Sequence, residues 1–349
     1  MKRHEYDYII VGLGLAGIHF CEQLRQHNKR FVVFNDGSQK SSTVAGGLYN
    51  PVVLKRFTPI WKAEQLMQLA LATYKNLENL LQVTLDEKLP VYRTFASIEE
   101  QNDWFIASDK PVLKTYLHSK VITNTNKAVN APFGFGEVRY TGRVKVDVLL
   151  KSYASYLDYR NAIVPKTFAY EELKIKDNNI KYKAINAKQI VFCEGFGVVK
   201  NPFFTTINLS PTKGELLTIF SPKLNINYVL KGPVFVIPIG NHLYRVGATY
   251  ELNDLTHNTS EKAKNKLLEG LRRMINCPFE IINQEAGIRP TVRDRRPLVG
   301  SHGNYKNMYL LNGLGTRGVL IGPYVAKQLF NYIEYQEPLE QEISIGRFG

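Results

Sequence analysis

Two stretches of this chain set residue types at spacings that do chemistry. One is Gly12-Leu13-Gly14-Leu15-Ala16-Gly17, three glycines in the pattern GxGxxG near the N-terminus. The other is GIRPTVRDRRPLVG, Gly287 to Gly300, where Arg289, Arg293, Arg295 and Arg296 crowd around Asp294, shortly before the apolar run MYLLNG. Charge gathered beside apolar runs is either a solvated loop or a site that reads an anion. A guanidinium suits the second role, because its planar fork makes two parallel bonds to a carboxylate and stays charged at working pH.

Glycines alone do not make a site; the elements around them must position it. Tyr6 to Val11 (YDYIIV) is an apolar, β-rich run that leads directly into Gly12. A helical stretch, IHFCEQLRQHN, follows Gly17, and then a second strand, Phe31 to Phe34, ends in Asn35-Asp36. Strand, glycine turn, helix and strand in this order predict a dinucleotide site. Gly12 permits the tight turn and Gly14 a close approach of the backbone to a pyrophosphate. Gly17 lets helix and strand pack, the helix N-terminus faces the phosphates, and Leu15 and Ala16 within the turn are expected to bind the cofactor with the glycines. Next come the small and hydroxylated residues Ser41, Ser42, Thr43, Ala45, Gly46 and Gly47, ahead of Leu48-Tyr49-Asn50-Pro51. They let the chain pass close to a large flat ligand and point to FAD over NAD. Ile60, Ala63, Met67, Ala70, Tyr74, Leu77 and Leu81 then recur at helical spacing, a core-packing stripe, with Thr58 and Pro59 expected as cap and first turn.

Composition sets the bounds. The 349 residues, 44% hydrophobic and 22% charged, suit a globular protein of about two domains. Three cysteines without a paired C-x-x-C argue against a disulfide framework or zinc site and fit a reducing cytoplasm. No uncharged segment reaches the roughly 18 residues that span a bilayer, so a cytoplasmic protein with no metal and no membrane partner is expected. The net charge of +14 raises a polyanionic partner, although scattered lysines such as those of KIKDNNIKYKAINAK read as a solvated surface.

Five blocks, in order, carry a resemblance that extends over nearly the whole chain. They are VGLGLAG, SSTVAGGLYNP, IVFCEGFG (Ile190–Gly197, with Gly195), LSPTKGELLTI (Leu209–Ile219), and finally GIRPTVRDRRPLVG with NGLGTRGVLIGP. In this order the sequence resembles the FAD-dependent superfamily of D-amino-acid oxidase, glycine oxidase and sarcosine oxidase. RVGATYE, Arg245 to Glu251, is similar to the strand before the superfamily's last flavin segment. The superfamily ends its second strand with a Glu that bonds the adenosine ribose. Asn35 stands there in this chain, with Asp36 one place on, which leaves the ribose partner open between the two. GLYNP and GLGTRG resemble the flavin domain of the bifunctional tRNA wobble-uridine enzymes more closely still, without their fused methyltransferase domain.

The resemblance implies a mixed α/β fold: a discontinuous Rossmann-like FAD domain, residues 1–84, 142–206 and 286–349, with an inserted antiparallel sheet that binds substrate, residues 85–141 and 207–285. It implies FAD, with Gly313, Leu314, Gly315, Thr316, Arg317 and Gly318 against the flavin's pyrimidine edge, and with no cysteine in the C-terminal flavin segments a non-covalent FAD is expected. Arg289 is implied as the catalytic-site residue that binds the substrate carboxylate. Arg293, Arg295 and Arg296 are expected to face solvent or pair with Asp294, while Tyr49, Lys213 and Tyr250 are expected to touch substrate. The reaction implied is oxidation of the C–N bond of a small amino acid or secondary amine. The alternative substrate is a carboxymethylaminomethyl group on tRNA.

Overall fold

The computed structural model describes residues 4–176 and 179–348. Its first sheet is built on the apolar runs read above. His4–Val11 lies between Phe31–Phe34 and Ile185–Phe192, parallel to both, and Ile163–Val164 adds a further parallel strand beside Phe31–Phe34. Met308–Asn312 joins Ile185–Phe192 in parallel and pairs antiparallel with Leu298–Ser301. Strands covered on both faces must be apolar throughout, and Tyr8, Ile9 and Ile10 are fully buried. The helix Leu15–Gln26 packs on Gly318–Tyr335, which in turn packs on Ala63–Leu81.

Ala63–Leu81 buries Ala63, Leu66, Met67, Ala70, Tyr74 and Leu77, the stripe expected from its spacing. Its start differs from expectation. Thr58–Pro59 does not open the helix but pairs with Val52–Val53 as a two-residue strand, and Lys62, in the left-handed region at φ 47°, precedes Ala63. The hairpin engages the two residues that would otherwise have capped.

The second sheet has seven strands in the order Glu280–Arg289, Thr212–Phe220, Leu243–Gly247, Phe235–Gly240, Val229–Lys231, Val91–Thr94 and Phe135–Val138. Period-two alternation divides its faces. Leu217, Ile219, Val236 and Val246 pack with Leu267 and Leu271 of the helix Glu261–Arg272 on one side. Gly214, Leu216, Gly247 and Phe235 line a large cavity on the other. The strand Glu280–Arg289 carries this sheet to Arg289, past the position 285 at which the inserted region was expected to end.

Candidate active site

A cavity of about 1160 Å³ runs between the two sheets, more than a single drug-sized ligand needs. At one end is the glycine turn. Gly12 has φ +99°, and a Cβ there would lie 2.5 Å from the Cys193 carbonyl oxygen. Only glycine closes that turn. At Gly14 a Cβ would meet nothing nearer than Ser42 Oγ at 3.1 Å. Space that a side chain would fill is left beside the start of a twelve-residue helix with no side-chain cap of its own, the arrangement that accepts a phosphate.

Side chains hold the turn in shape. Asn35 Oδ1 accepts from the Leu13 amide at 3.2 Å, and Ser42 Oγ accepts from the Leu15 amide at 3.2 Å. Asp36 accepts from the Ser38 amide and the Thr167 hydroxyl, both at 2.9 Å. Asn35 and Asp36 both line the cavity, as do Ala16, Thr43, Ala45, Gly46, Gly47 and Gly195. Glu194 is the other carboxylate there. Burial pushes its pKa up to about 7 and Asp36 adds to the rise, against the hydrogen bonds from Asn201 and Tyr170. Asn312, which opens the NGLGTRG segment, joins the two distant loops: its Nδ2 donates to the Gly195 carbonyl at 2.9 Å and its Oδ1 accepts from the Gly313 amide at 2.8 Å.

The far end of the cavity is cationic. Arg289 lies on the last residue of its strand, and its guanidinium folds over Gly214. A Cβ on Gly214 would fall 1.8 Å from Arg289 Nη2. Nη1 donates to the Thr249 carbonyl at 3.2 Å, and the guanidinium carbon sits 4.7 Å from the centre of the Tyr250 ring. Burial pulls the pKa of Arg289 down, with Tyr250 working the other way. Arg317, in the turn Gly315–Arg317 that leads into Gly318–Tyr335, is also lowered by burial, opposed by Tyr250 and reinforced by nearby Arg295. Among the described residues neither guanidinium pairs with a carboxylate. Two half-buried cations therefore line the same cavity, each within electrostatic reach of Tyr250.

Four expected site residues do not line the cavity. Gly17 packs instead: a Cβ there would stand 2.1 Å from the Gly12 carbonyl oxygen. Gly313, at φ +73°, turns the chain beneath Leu314–Gly318, which do line it. Tyr49 is buried, with its hydroxyl donating to Asp86 at 2.7 Å and accepting from Lys88 at 3.0 Å. Lys213 alternates with Gly214 and so points through the sheet, where it pairs with Asp254 and lies 3.8 Å from Glu215. Tyr49 and Lys213 are buried among partners of their own and do not line the cavity. Asp294 likewise has another partner than expected, Arg347 at 2.8 Å, while Arg296 lies over the Trp61 ring at 5.0 Å. Lys231 and His257 line the cavity without having stood out in the sequence.

The glycine turn, the loops beside it and the length of the cavity fit an extended dinucleotide with room beyond its end. Comparison with known proteins agrees. The family of FAD dependent oxidoreductases matches residues 7–331. A curated relative, the bifunctional protein of tRNA 5-methylaminomethyl-2-thiouridine biosynthesis from Nitrosospira multiformis, is 27% identical over 163 residues, 42% of this chain but 26% of its own length. This chain thus matches about a quarter of that relative. Among solved structures, glycine oxidase from Geobacillus kaustophilus superposes with a TM-score of 0.76 at 18% identity, covering 96% of each chain. Iminodiacetate oxidase from Chelativorans sp. BNC1 superposes with a TM-score of 0.77 at 15% identity, covering 95% of this chain and 96% of its own. With a glycine turn built for a pyrophosphate and a match across nearly its whole length, the chain belongs to the FAD-dependent oxidoreductases.

Proposed function

We propose that this protein oxidises the C–N bond of an amine that carries a carboxylate, a small amino acid or N-carboxymethyl amine. The observation that carries this reading is Arg289: a cation held against the cavity wall, with an aromatic ring and a carbonyl as partners and no acid among the described residues to neutralise it. A half-buried cation without a counter-ion carries a desolvation cost, and a substrate carboxylate would supply the missing charge. Bound FAD supplies the acceptor for the α-hydrogen, taken as hydride, after which water hydrolyses the imine.

The chain's own residues bind and orient. The Arg289 fork grips the carboxylate, and Tyr250 and the Thr249 carbonyl fix the plane of that fork. Arg317 adds positive charge beside it. Asp36 and Glu194, the carboxylates among the described lining residues, stand at the glycine-turn end. No carboxylate among the described lining residues stands beside Arg289, and in this reading the amine binds and is oxidised as the free base. Leu216, Phe235 and Ile237 line the wall and exclude water around the reacting carbon.

The test is anaerobic mixing of the purified flavoprotein with glycine, sarcosine, D-amino acids and N-carboxymethyl amines, watching the flavin bleach. At least one carboxylated amine should reduce it, and its decarboxylated analogue should be far slower. Bleaching by the two at equal rates would remove Arg289 from the substrate site.

A second reading is favoured by the net charge of +14 and by the match to the tRNA-modifying relative. In it the carboxymethylaminomethyl group belongs to a tRNA, whose phosphates meet the exposed Lys55, Lys166, Lys200 and Arg295 that line the cavity. The logarithm of tRNA affinity should then fall linearly with the logarithm of salt concentration, as phosphate contacts release counterions. A flat response leaves the free amine as the substrate.

A further inference from the structure

The sheet face that carries Arg289 holds, farther across, another cation that pairs with no carboxylate among the described residues. Leu216 pairs with Gly247, Gly247 with Phe235, and Phe235 with Lys231. Directly paired residues share a face, so Lys231 looks into the same cavity as Leu216, Gly247 and Phe235, and it lines that cavity with them. Its ammonium group sits 4.7 Å from the centre of the Phe235 ring and donates to the Gly232 carbonyl. The next residue along the row, Arg93, is the partner of Lys231 on the neighbouring strand. The nearby carboxylate, Glu100, is engaged by Arg93 at 2.9 Å. Lys231 is thus held among an aromatic ring, a carbonyl and a second cation, with no acid of its own among the described residues. Burial first, and then repulsion from Arg93, pull its pKa down to about 8 against the pull of Glu100.

Between the two cationic ends the floor is apolar. The Arg289 guanidinium lies over Gly214, and Lys231 lies over Phe235, two strands away in the sheet. Two strand spacings are about 10 Å. Gly247 and Leu216 lie between, presenting no polar side chain.

Building on the reading of Arg289 as the carboxylate site, we propose that Lys231 is a second anion subsite and that the substrate is an amine with two anionic ends: a carboxylate at Arg289 and a carboxylate or phosphate at Lys231, joined by an arm that crosses the apolar floor. A free glycine would leave Lys231 unused.

The test uses the flavoprotein and ligands that cannot be oxidised, followed through the shift that binding causes in the visible flavin spectrum. Straight-chain dicarboxylates from glutarate to sebacate are titrated beside monocarboxylates of equal length, together with ω-phosphonocarboxylates, which separate a carboxylate end from a phosphate end. At one length the dianion should bind about tenfold or more tighter than its monocarboxylate, the gain of one charge-assisted bond. Lys231→Met should erase that gain and leave monocarboxylate binding alone, whereas Lys231→Arg should keep it. If monocarboxylates bind and are weakened by Arg289→Met, but no dianion of either type exceeds them, the second subsite is overturned while the carboxylate site stands. If monocarboxylates do not bind at all, the Arg289 reading falls, and Lys231 is then judged by whether Lys231→Met weakens dianions. No effect there overturns the subsite as well.

Discussion

Gly214→Ala is the sharpest probe of the carboxylate end, because it disturbs Arg289 without altering it. An added Cβ would lie 1.8 Å from Nη2, 2.2 Å from the guanidinium carbon and 2.4 Å from Nη1. Ordinary contact begins near 3.4 Å, so the nearest nitrogen must retreat by roughly 1.6 Å. What has to move is the far end of a long side chain, and the strand itself can keep its place. A charge-assisted bond does not survive such a displacement, since its donor–acceptor distance spans only a few tenths of an ångström. Losing one is worth about 1.5–3 kcal/mol, so a carboxylate ligand should bind about ten- to a hundredfold more weakly.

The assay is titration of the flavoprotein with a carboxylate that is not oxidised, in the parent, Gly214→Ala, Arg289→Met and the double variant. FAD content should be unchanged in all four. In the double variant the two effects should not add, because the methyl group acts through the guanidinium that Arg289→Met has already removed. Full additivity would show that the methyl group merely narrows the cavity. Parent-level binding in Gly214→Ala would refute the assignment of Arg289 outright.

Two further outcomes test the nucleotide end. Gly14→Val should fold but fail to retain FAD, because its side chain enters open space facing the cavity; Gly17→Ala should instead lower the stability of the FAD-free protein by about 1–3 kcal/mol or more, because its methyl group meets the Gly12 carbonyl oxygen. Flavin absorbance and thermal unfolding separate the two, and a Gly14→Val protein with full FAD would contradict the pyrophosphate site. Glu194 should make the FAD-free protein less stable as pH rises: its folded pKa of about 7 exceeds the ordinary 4.5, so its contribution is present below about pH 4.5 and is lost by pH 7. Glu194→Gln should recover roughly 3 kcal/mol at pH 8 and little at pH 4.5 by chemical denaturation, and equal gains at both would remove Glu194 as the cause.

The glycine turn was legible because its chemistry is backbone geometry. A positive φ at Gly12 and a missing side chain at Gly14 leave glycine as the residue that fits, and flanking strands announce themselves by apolar runs. The helix Ala63–Leu81 was legible for a similar reason, since its stripe repeats over nineteen residues. Its start was not, because Thr58–Pro59 answers to a strand partner instead of to its own capping propensity. Lys213 shows the same limit at the site. Alternation separates Lys213 from Gly214, but Leu216 and Leu217 are both apolar, so nothing local says which face meets the ligand. Only the pairing with Glu280–Arg289, which brings Arg289 over Gly214, decides it. Lys231 was hidden more deeply, since its meaning lies in a row assembled from four strands.

The same pairing explains why two glycines recur on this face. Gly214 and Gly247 lie on neighbouring strands, and each carries a neighbouring side chain where its own would be: Arg289 over Gly214, Leu216 against Gly247. A glycine in a strand interior costs stability and buries nothing of its own. At Gly214 that cost makes room for a guanidinium to lie flat on the sheet. Tyr250 and the Thr249 carbonyl hold the guanidinium over Gly214, where it would meet the carboxylate proposed above. A larger residue at 214 would lift the cation toward solvent, where hydration would compete with the ligand. If Arg289 is the carboxylate site proposed above, the strand gives up packing beneath it to hold a half-buried cation in place, which is how a binding site gains affinity without gaining contacts.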